Sequence, residues 1–214
     1  MLPVIPEKLW VIDECTAVEH FSLAATDRCY YIWEYAARRR FDFSPANQLV
    51  TNLKIKPSAI ARAPGRASHK QRAIDHAAEA LRRLMPRQFV AERATFVPVP
   101  SSKIAGDADH DDRLLQVLRL AFHDWSADVR DMLALTHSTP ADHEAADRLS
   151  FDELLAVTRL RGESAQPPRG VIVIVDDVLN SGKHFKVAQA VLAASFPAAE
   201  VRGLFLARCV RDCR

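Results

Sequence analysis

Asp176 and Asp177 stand side by side at the end of the apolar run 171–175, and Asn180, Ser181, Gly182, Lys183 and His184 follow within a few positions. Adjacent carboxylates accept hydrogen bonds from paired hydroxyls or hold a hydrated divalent metal. Consecutive backbone N–H groups at a helix start, here those of residues 180–184, cradle a phosphate. Carboxylates and an anion cup in one short stretch point to a phosphorylated sugar; the competing reading is an ordinary acidic turn after a buried strand. A nucleotide P-loop is excluded, because Gly182-Lys183 would need a Gly five residues earlier and a Ser or Thr next, where the chain has Asp177 and His184.

A second anion candidate is the segment 96–103, which carries Pro98 and Pro100 and ends on Ser101, Ser102 and Lys103. Such a turn offers N–H groups, hydroxyls and one ammonium to an anion; the alternative is an exposed Pro-Ser turn with a solvated lysine. Asp107, Asp109, Asp111 and Asp112 crowd the next segment. Their like charges suit a metal or a basic partner, but a solvated loop with helix-capping carboxylates is preferred. Arg113 heads the following helix and is a candidate to point back at a ligand. The polar stretch 137–148 adds His137, His143 and Arg148, although an isolated histidine is more often a surface residue.

Elements must bring these groups together. The β-branched run 171–175 suits a strand buried on both faces of a parallel sheet. Around it the pattern predicts strands at 94–98 and 201–207, helices at 111–123, 150–161 and 185–195, and a weaker strand at 131–136 with helix as the alternative. Ser150 with Glu153 forms a capping-box signature. This alternation argues for a parallel sheet with helices on both faces, and right-handed crossovers bring the loops to one edge. Loops beyond the carboxyl ends of such strands are where open α/β sheets bind ligands.

The chain divides near residue 90. Residues 1–90 read as mainly helical, with helices expected at 26–40, near Asp27, and at 68–84, capped by Ser68 and ended by Pro86. The stretch 41–64 is polar and holds Pro45, Pro57 and Pro64. The aromatic group Tyr30, Tyr31, Trp33 and Tyr35 reads as core or interface rather than as a platform for a base. Arg38, Arg39 and Arg40 read as a solvated helix face.

Composition sets the bounds. The 214 residues are 49% hydrophobic and 26% charged, enough for a packed core. A net charge of +2 does not indicate a nucleic-acid partner. Cys15, Cys29, Cys209 and Cys213 lack zinc-site spacing. The first residues have no basic start or apolar core, and no apolar run approaches membrane length, so a reducing, cytoplasmic setting without membrane contact is expected.

The stretch 171–184 resembles the signature loop of type I phosphoribosyltransferases: an apolar run, two acids, then a Thr-Gly-x-Thr-like turn. The Val-Pro-Val-Pro form of residues 97–100 is similar to the ComF-like, competence-associated branch of that family. The resemblance covers residues 91–214 and implies a phosphoribosyltransferase-type α/β core there. It implies that phosphoribosyl pyrophosphate (PRPP) binds with Mg²⁺ and that its phosphoribosyl group passes to a nitrogen nucleophile, expected to be a base, as in nucleotide metabolism. Asp176 and Asp177 would hold the ribose hydroxyls and the metal and act as catalytic residues together with Lys103. Ser101, Ser102 and Lys103 would hold pyrophosphate. Asn180, Ser181, Gly182, Lys183 and His184 would hold the 5′-phosphate, with Arg113 and Arg148 as further ligands and 137–148 as a closing loop. His184 stands where the family has its second Thr. The acceptor would be recognised by residues 1–90, which could also carry a homodimer or partner contact. The alternative is a non-catalytic PRPP or nucleotide sensor, or an interaction subunit of a defence or DNA-uptake assembly.

Overall fold

The computed structural model describes residues 1–139, 149–162 and 166–210. Arg148, His143 and Cys213 lie outside the described residues, as does most of the expected closing loop. In chain order the elements are β1 (Trp10–Val11), α1 (Glu14–Ala17), β2 (Arg28–Ala36), α2 (Pro45–Leu53), α3 (Pro57–Arg62), α4 (Arg66–Leu84), β3 (Ala94–Pro98), α5 (Arg113–Ala121), β4 (Asp128–Val129), β5 (Leu133–Leu135), α6 (Phe151–Val157), β6 (Thr158–Leu160), β7 (Val171–Leu179), α7 (Lys183–Ser195) and β8 (Glu200–Val210). A single wide helical turn (Phe89–Arg93) leads into β3.

The fold is α/β. Six strands form one sheet in the order β1-β2-β8-β7-β3-β4. All neighbours run parallel except β1, which runs antiparallel to β2. β5 and β6 form a separate antiparallel ribbon.

β7 is central because both its faces are apolar. Side chains alternate across a strand, so Val171, Val173 and Val175 meet Leu49 and Leu53 of α2, Ile74 and Leu81 of α4 and Leu118 of α5. Ile172 and Ile174 turn the other way, onto Phe185, Ala188 and Leu192 of α7 and Leu133 of β5. Helices therefore cover both faces. Burying each of these aliphatic side chains is worth about 1.5–3 kcal/mol.

Residues 1–90 are not simply helical. The helix expected at 26–40 is strand β2, parallel to β8 from Arg28↔Arg202 to Ala36↔Val210. Tyr30 and Ile32 pack into one core while Cys29 and Tyr31 pack into the other. That is a period of two, and an aromatic, β-branched composition suits a pleated surface. The stretch 41–64 forms α2 and α3, each opened by proline at its first turn. Ser68 does not cap α4; Gly65 does, and the Ser68 hydroxyl donates to the Gly65 carbonyl at 3.0 Å. One apolar core joins α2 and α4 to α5, β3 and β7, so the first ninety residues supply two strands and most of a helical layer.

Elsewhere the expected elements shift. The helix expected at 150–161 stops at Val157, and Thr158–Leu160 is strand β6; its capping box of Ser150 and Glu153 is present. β7 runs on to Leu179 and carries both aspartates within the strand. Among the described residues no helix is long and apolar enough to cross a membrane.

Close packing along β8 gives a test of this core. A Cβ on Gly203 would lie 2.8 Å from Cys29 Sγ, 2.9 Å from Phe205 Cε2 and 3.1 Å from Phe185 Cδ2. Gly203→Ala is expected to cost about 1–3 kcal/mol, read as a lower denaturant midpoint at unchanged slope.

Candidate functional site

From β3 the chain crosses outward to β4, whereas from β7 it crosses the opposite way to β8. The loops leaving β3 and β7 therefore part, and the sheet has its switch point between these two strands. Crevices at switch points are the general ligand sites of open α/β sheets. Here the crevice is a cleft of about 1880 Å³, lined by the turn after β7, the loop after β3 and the ends of β2 and α2.

The turn after β7 is shaped from outside by the N-terminal segment. His20 Nδ1 hydrogen-bonds the Asn180 carbonyl, and the Ser22 N–H donates to the Ser181 carbonyl at 2.9 Å. In a trans peptide the C=O and the following N–H point in opposite directions. Drawing these two carbonyls toward residues 20–22 turns the Ser181 and Gly182 N–H groups away from that segment. Gly182 caps α7 with φ +89°, a conformation that favours glycine. A Cβ there would meet Leu23 Cδ2 at 2.7 Å, so the added atom would strike this segment and not a bound anion. The segment is anchored by Asp27 to Lys186 at 2.9 Å and by Glu19 to Arg208 at 2.7 Å. The α7 dipole adds partial positive charge at the turn.

The two aspartates do different jobs, because the strand pleat sends them to opposite faces. Asp177 faces α2 and α5. Its Oδ1 is 2.9 Å from Lys54 Nζ, and its Oδ2 accepts from Arg113 Nε at 3.0 Å and Nη2 at 2.5 Å. The chain of charge continues from Arg113 Nη1 to Asp111 Oδ2 at 2.9 Å, and from Asp111 to Lys70 Nζ at 2.7 Å. Burial alone raises the Asp177 carboxyl, but Lys54 and Arg113 outweigh it and hold the pKa well below the usual range. Burial likewise lowers Arg113, and Asp177 with Asp111 overcomes it and raises the guanidinium. For Lys70 burial prevails and the ammonium is lowered despite Asp111.

Asp176 faces α7. Its Oδ1 accepts the Asp177 N–H at 2.7 Å, and its Oδ2 lies 3.8 Å from His184 Nδ1 across the cleft wall.

Arg113, expected as a ligand, holds Asp177 and Asp111, and both Arg113 and Asp177 line the cleft. Asp177, expected to share a ribose and a metal with Asp176, has both oxygens on cations. A resident metal bridging the two acids does not fit this donor set. Among the described residues no group of three or more His, Cys, Asp or Glu side chains is disposed to hold a metal ion.

The loop after β3 extends the sheet pairing, with the Val99 N–H on the Val175 carbonyl at 2.9 Å. Ser101 Oγ accepts the Lys103 N–H at 3.2 Å, and the Thr139 N–H donates to the Ser102 carbonyl at 2.7 Å. Lys103 Nζ donates to the Thr139 carbonyl at 3.1 Å, and Lys183 Nζ donates to the Leu149 carbonyl. The acidic segment is architectural. Asp109 accepts the Ser58 N–H at 3.0 Å, and Asp107 accepts the Ser138 hydroxyl at 2.8 Å.

Ser101, Ser102, Lys103, Asp176 and residues 180–184 therefore line one cleft. Lys54 and Arg159 line it too, and nothing in their local spacing marks them; Tyr35, Arg38 and Arg39, expected as core or interface and as a solvated helix face, also line it. No protein-family model matches the chain, and comparison with curated proteins finds no significant match.

Asp177→Asn leaves Lys54 and Arg113 facing a neutral group. It is expected to cost about 3–5 kcal/mol, as breaking a buried pair does, measured by chemical denaturation. The folded-state pKa of Asp177 is depressed, so its contribution is full above about pH 4 and is lost as pH falls toward the folded value. Acid titration of stability should be shallower in the Asn variant than in the parent.

Proposed function

We propose that the cleft binds PRPP carrying its own Mg²⁺, and that the protein transfers the phosphoribosyl group to a nitrogen nucleophile with release of pyrophosphate. The family reading of type I phosphoribosyltransferase, ComF-like, belongs to this proposal, as does a reducing cytoplasmic setting. One observation carries it: the hydroxyl- and ammonium-bearing loop after β3 and the amide turn after β7 meet at the switch point of a parallel sheet.

In this reading the 5′-phosphate sits on the Ser181 and Gly182 amides at the α7 terminus, with Asn180, Lys183 and His184 around it. Asp176 takes the ribose hydroxyls. Ser101, Ser102 and Lys103 receive the pyrophosphate, and the metal enters as part of the substrate. A C1–N bond forms as the C1–O bond to pyrophosphate breaks. Pyrophosphate leaves with the electron pair, and the proton of the attacking nitrogen passes to solvent. Negative charge grows on the leaving group, where Lys103 and the loop N–H groups stabilise it. Asp177 is the structural member of the acidic pair; it anchors the strand end that presents Asp176.

A second reading is favoured by the position of His184 beside Asp176. An imidazole there competes with a ribose for the same carboxylate, which suits a PRPP sensor without turnover.

Calorimetry with PRPP and Mg²⁺ and a pyrophosphate-release assay over a panel of nitrogen acceptors separate the readings. Binding with release supports transfer, binding without release supports sensing, and absence of binding removes both. Asp176→Asn should weaken PRPP at least tenfold while the thermal midpoint moves little, because among the described residues the nearest cationic partner of Asp176 is His184 at 3.8 Å.

A further inference from the structure

The cleft extends past the switch point, across β8 to the end of β2. Neighbouring strands lie about 4.8 Å apart, so β2 ends roughly 10 Å from β7, measured across the sheet. The wall at that end consists of Tyr35, Arg38, Arg39, Thr51, Lys54 and Lys56, with Ala37 and Val50 between them. It contributes four cations and no carboxylate to the lining. The carboxylates of the cleft come from residues 109–112, from Asp131 and from the β7 pair.

Lys54 is committed to Asp177. Arg38 is not committed: among the described residues it forms no hydrogen bond or ion pair. It also sits at φ +62°, an unusual backbone for a side-chain-bearing residue. The strand end before it is fixed, because Asn47 accepts the Ala36 N–H at 3.1 Å and donates to the Ala36 carbonyl at 2.9 Å. A rigid strand end that turns a cation at positive φ into a cleft is a feature that calls for a functional reason. Tyr35, half-buried on the same strand end, lines the same cleft.

We infer that this wall is the acceptor subsite and that it selects a planar acceptor bearing an anionic group, a carboxylate or a phosphate, which Arg38 receives while Tyr35 flanks the ring. The inference rests on the phosphoribosyl-transfer reading and adds the substrate class. A neutral base has no use for the guanidinium of Arg38 at this wall, whereas an anion is drawn to it and held in register.

The test titrates the full chain by calorimetry with two acid–amide pairs, nicotinate against nicotinamide and 2-aminobenzoate against 2-aminobenzamide, each with and without PRPP and Mg²⁺. The acids are expected to bind at least tenfold more tightly than their amides. Arg38→Gln should erase that preference and leave the PRPP affinity within twofold, and Arg38→Lys should keep most of it. Equal binding of acid and amide, or no binding by either acid, overturns the inference. So does a parallel loss of PRPP affinity in Arg38→Gln, because the cations then serve PRPP. An Arg38-dependent acid preference in a protein that fails to bind PRPP sustains the anion subsite and removes the transfer reading alone. The thermal midpoint of each variant, expected to be unchanged for an exposed side chain, separates lost recognition from lost folding.

Discussion

The carboxylate of Asp177 ties the helices on one side of the sheet to the end of its central strand. It accepts from Lys54 at the end of α2 and from Arg113 at the start of α5, and through Arg113 it reaches Asp111 and Lys70 of α4. Three segments distant in sequence, at 54, 70 and 111–113, are thereby fixed around the end of one strand. Buried charge is costly to desolvate, and here each charge is met by a partner in hydrogen-bonding geometry. The cleft has its shape because these helices and β7 cannot shift independently.

The pleat decides what the neighbouring acid can do. A strand that ended at Val175 would have left both aspartates on a loop, free to converge on one ligand. Because β7 continues to Leu179, Asp177 turns inward to the charge chain and Asp176 turns to α7 and the cleft. One carboxylate holds the scaffold and the other faces the site. The same logic assigns Asp107 and Asp109, which accept from the Ser138 hydroxyl and the Ser58 backbone N–H.

Legibility in the sequence followed locality. The strand 171–175, the helix after it, the capping box at Ser150 and the strand 94–98 are carried by short-range pattern, and all appear in the structure. So does the convergence of the two anion loops, because parallel-sheet topology brings strand ends to one edge. The strand β2 was not legible, since its aromatic residues satisfy helical and strand spacing alike until pairing with β8 selects one. Lys54 and the segment at His20 and Ser22 were not legible, and Arg38 read only as part of a solvated helix face, for a related reason. Each acts on residues more than a hundred positions away or through a backbone conformation that composition does not encode.

The placement of β2 bears on how the chain reaches this state at all. It is made well before its parallel partner β8, the last described strand, and the β2–β8 pairing spans the register Arg28↔Arg202 to Ala36↔Val210. Until the ribosome has delivered β8, β2 has only the two-residue β1 beside it. Contacts this distant in sequence close slowly, and an aromatic strand waiting for its partner is prone to wrong association. Maturation of the cleft is thus tied to the delivery of β8, and a nascent chain would need protection over that interval.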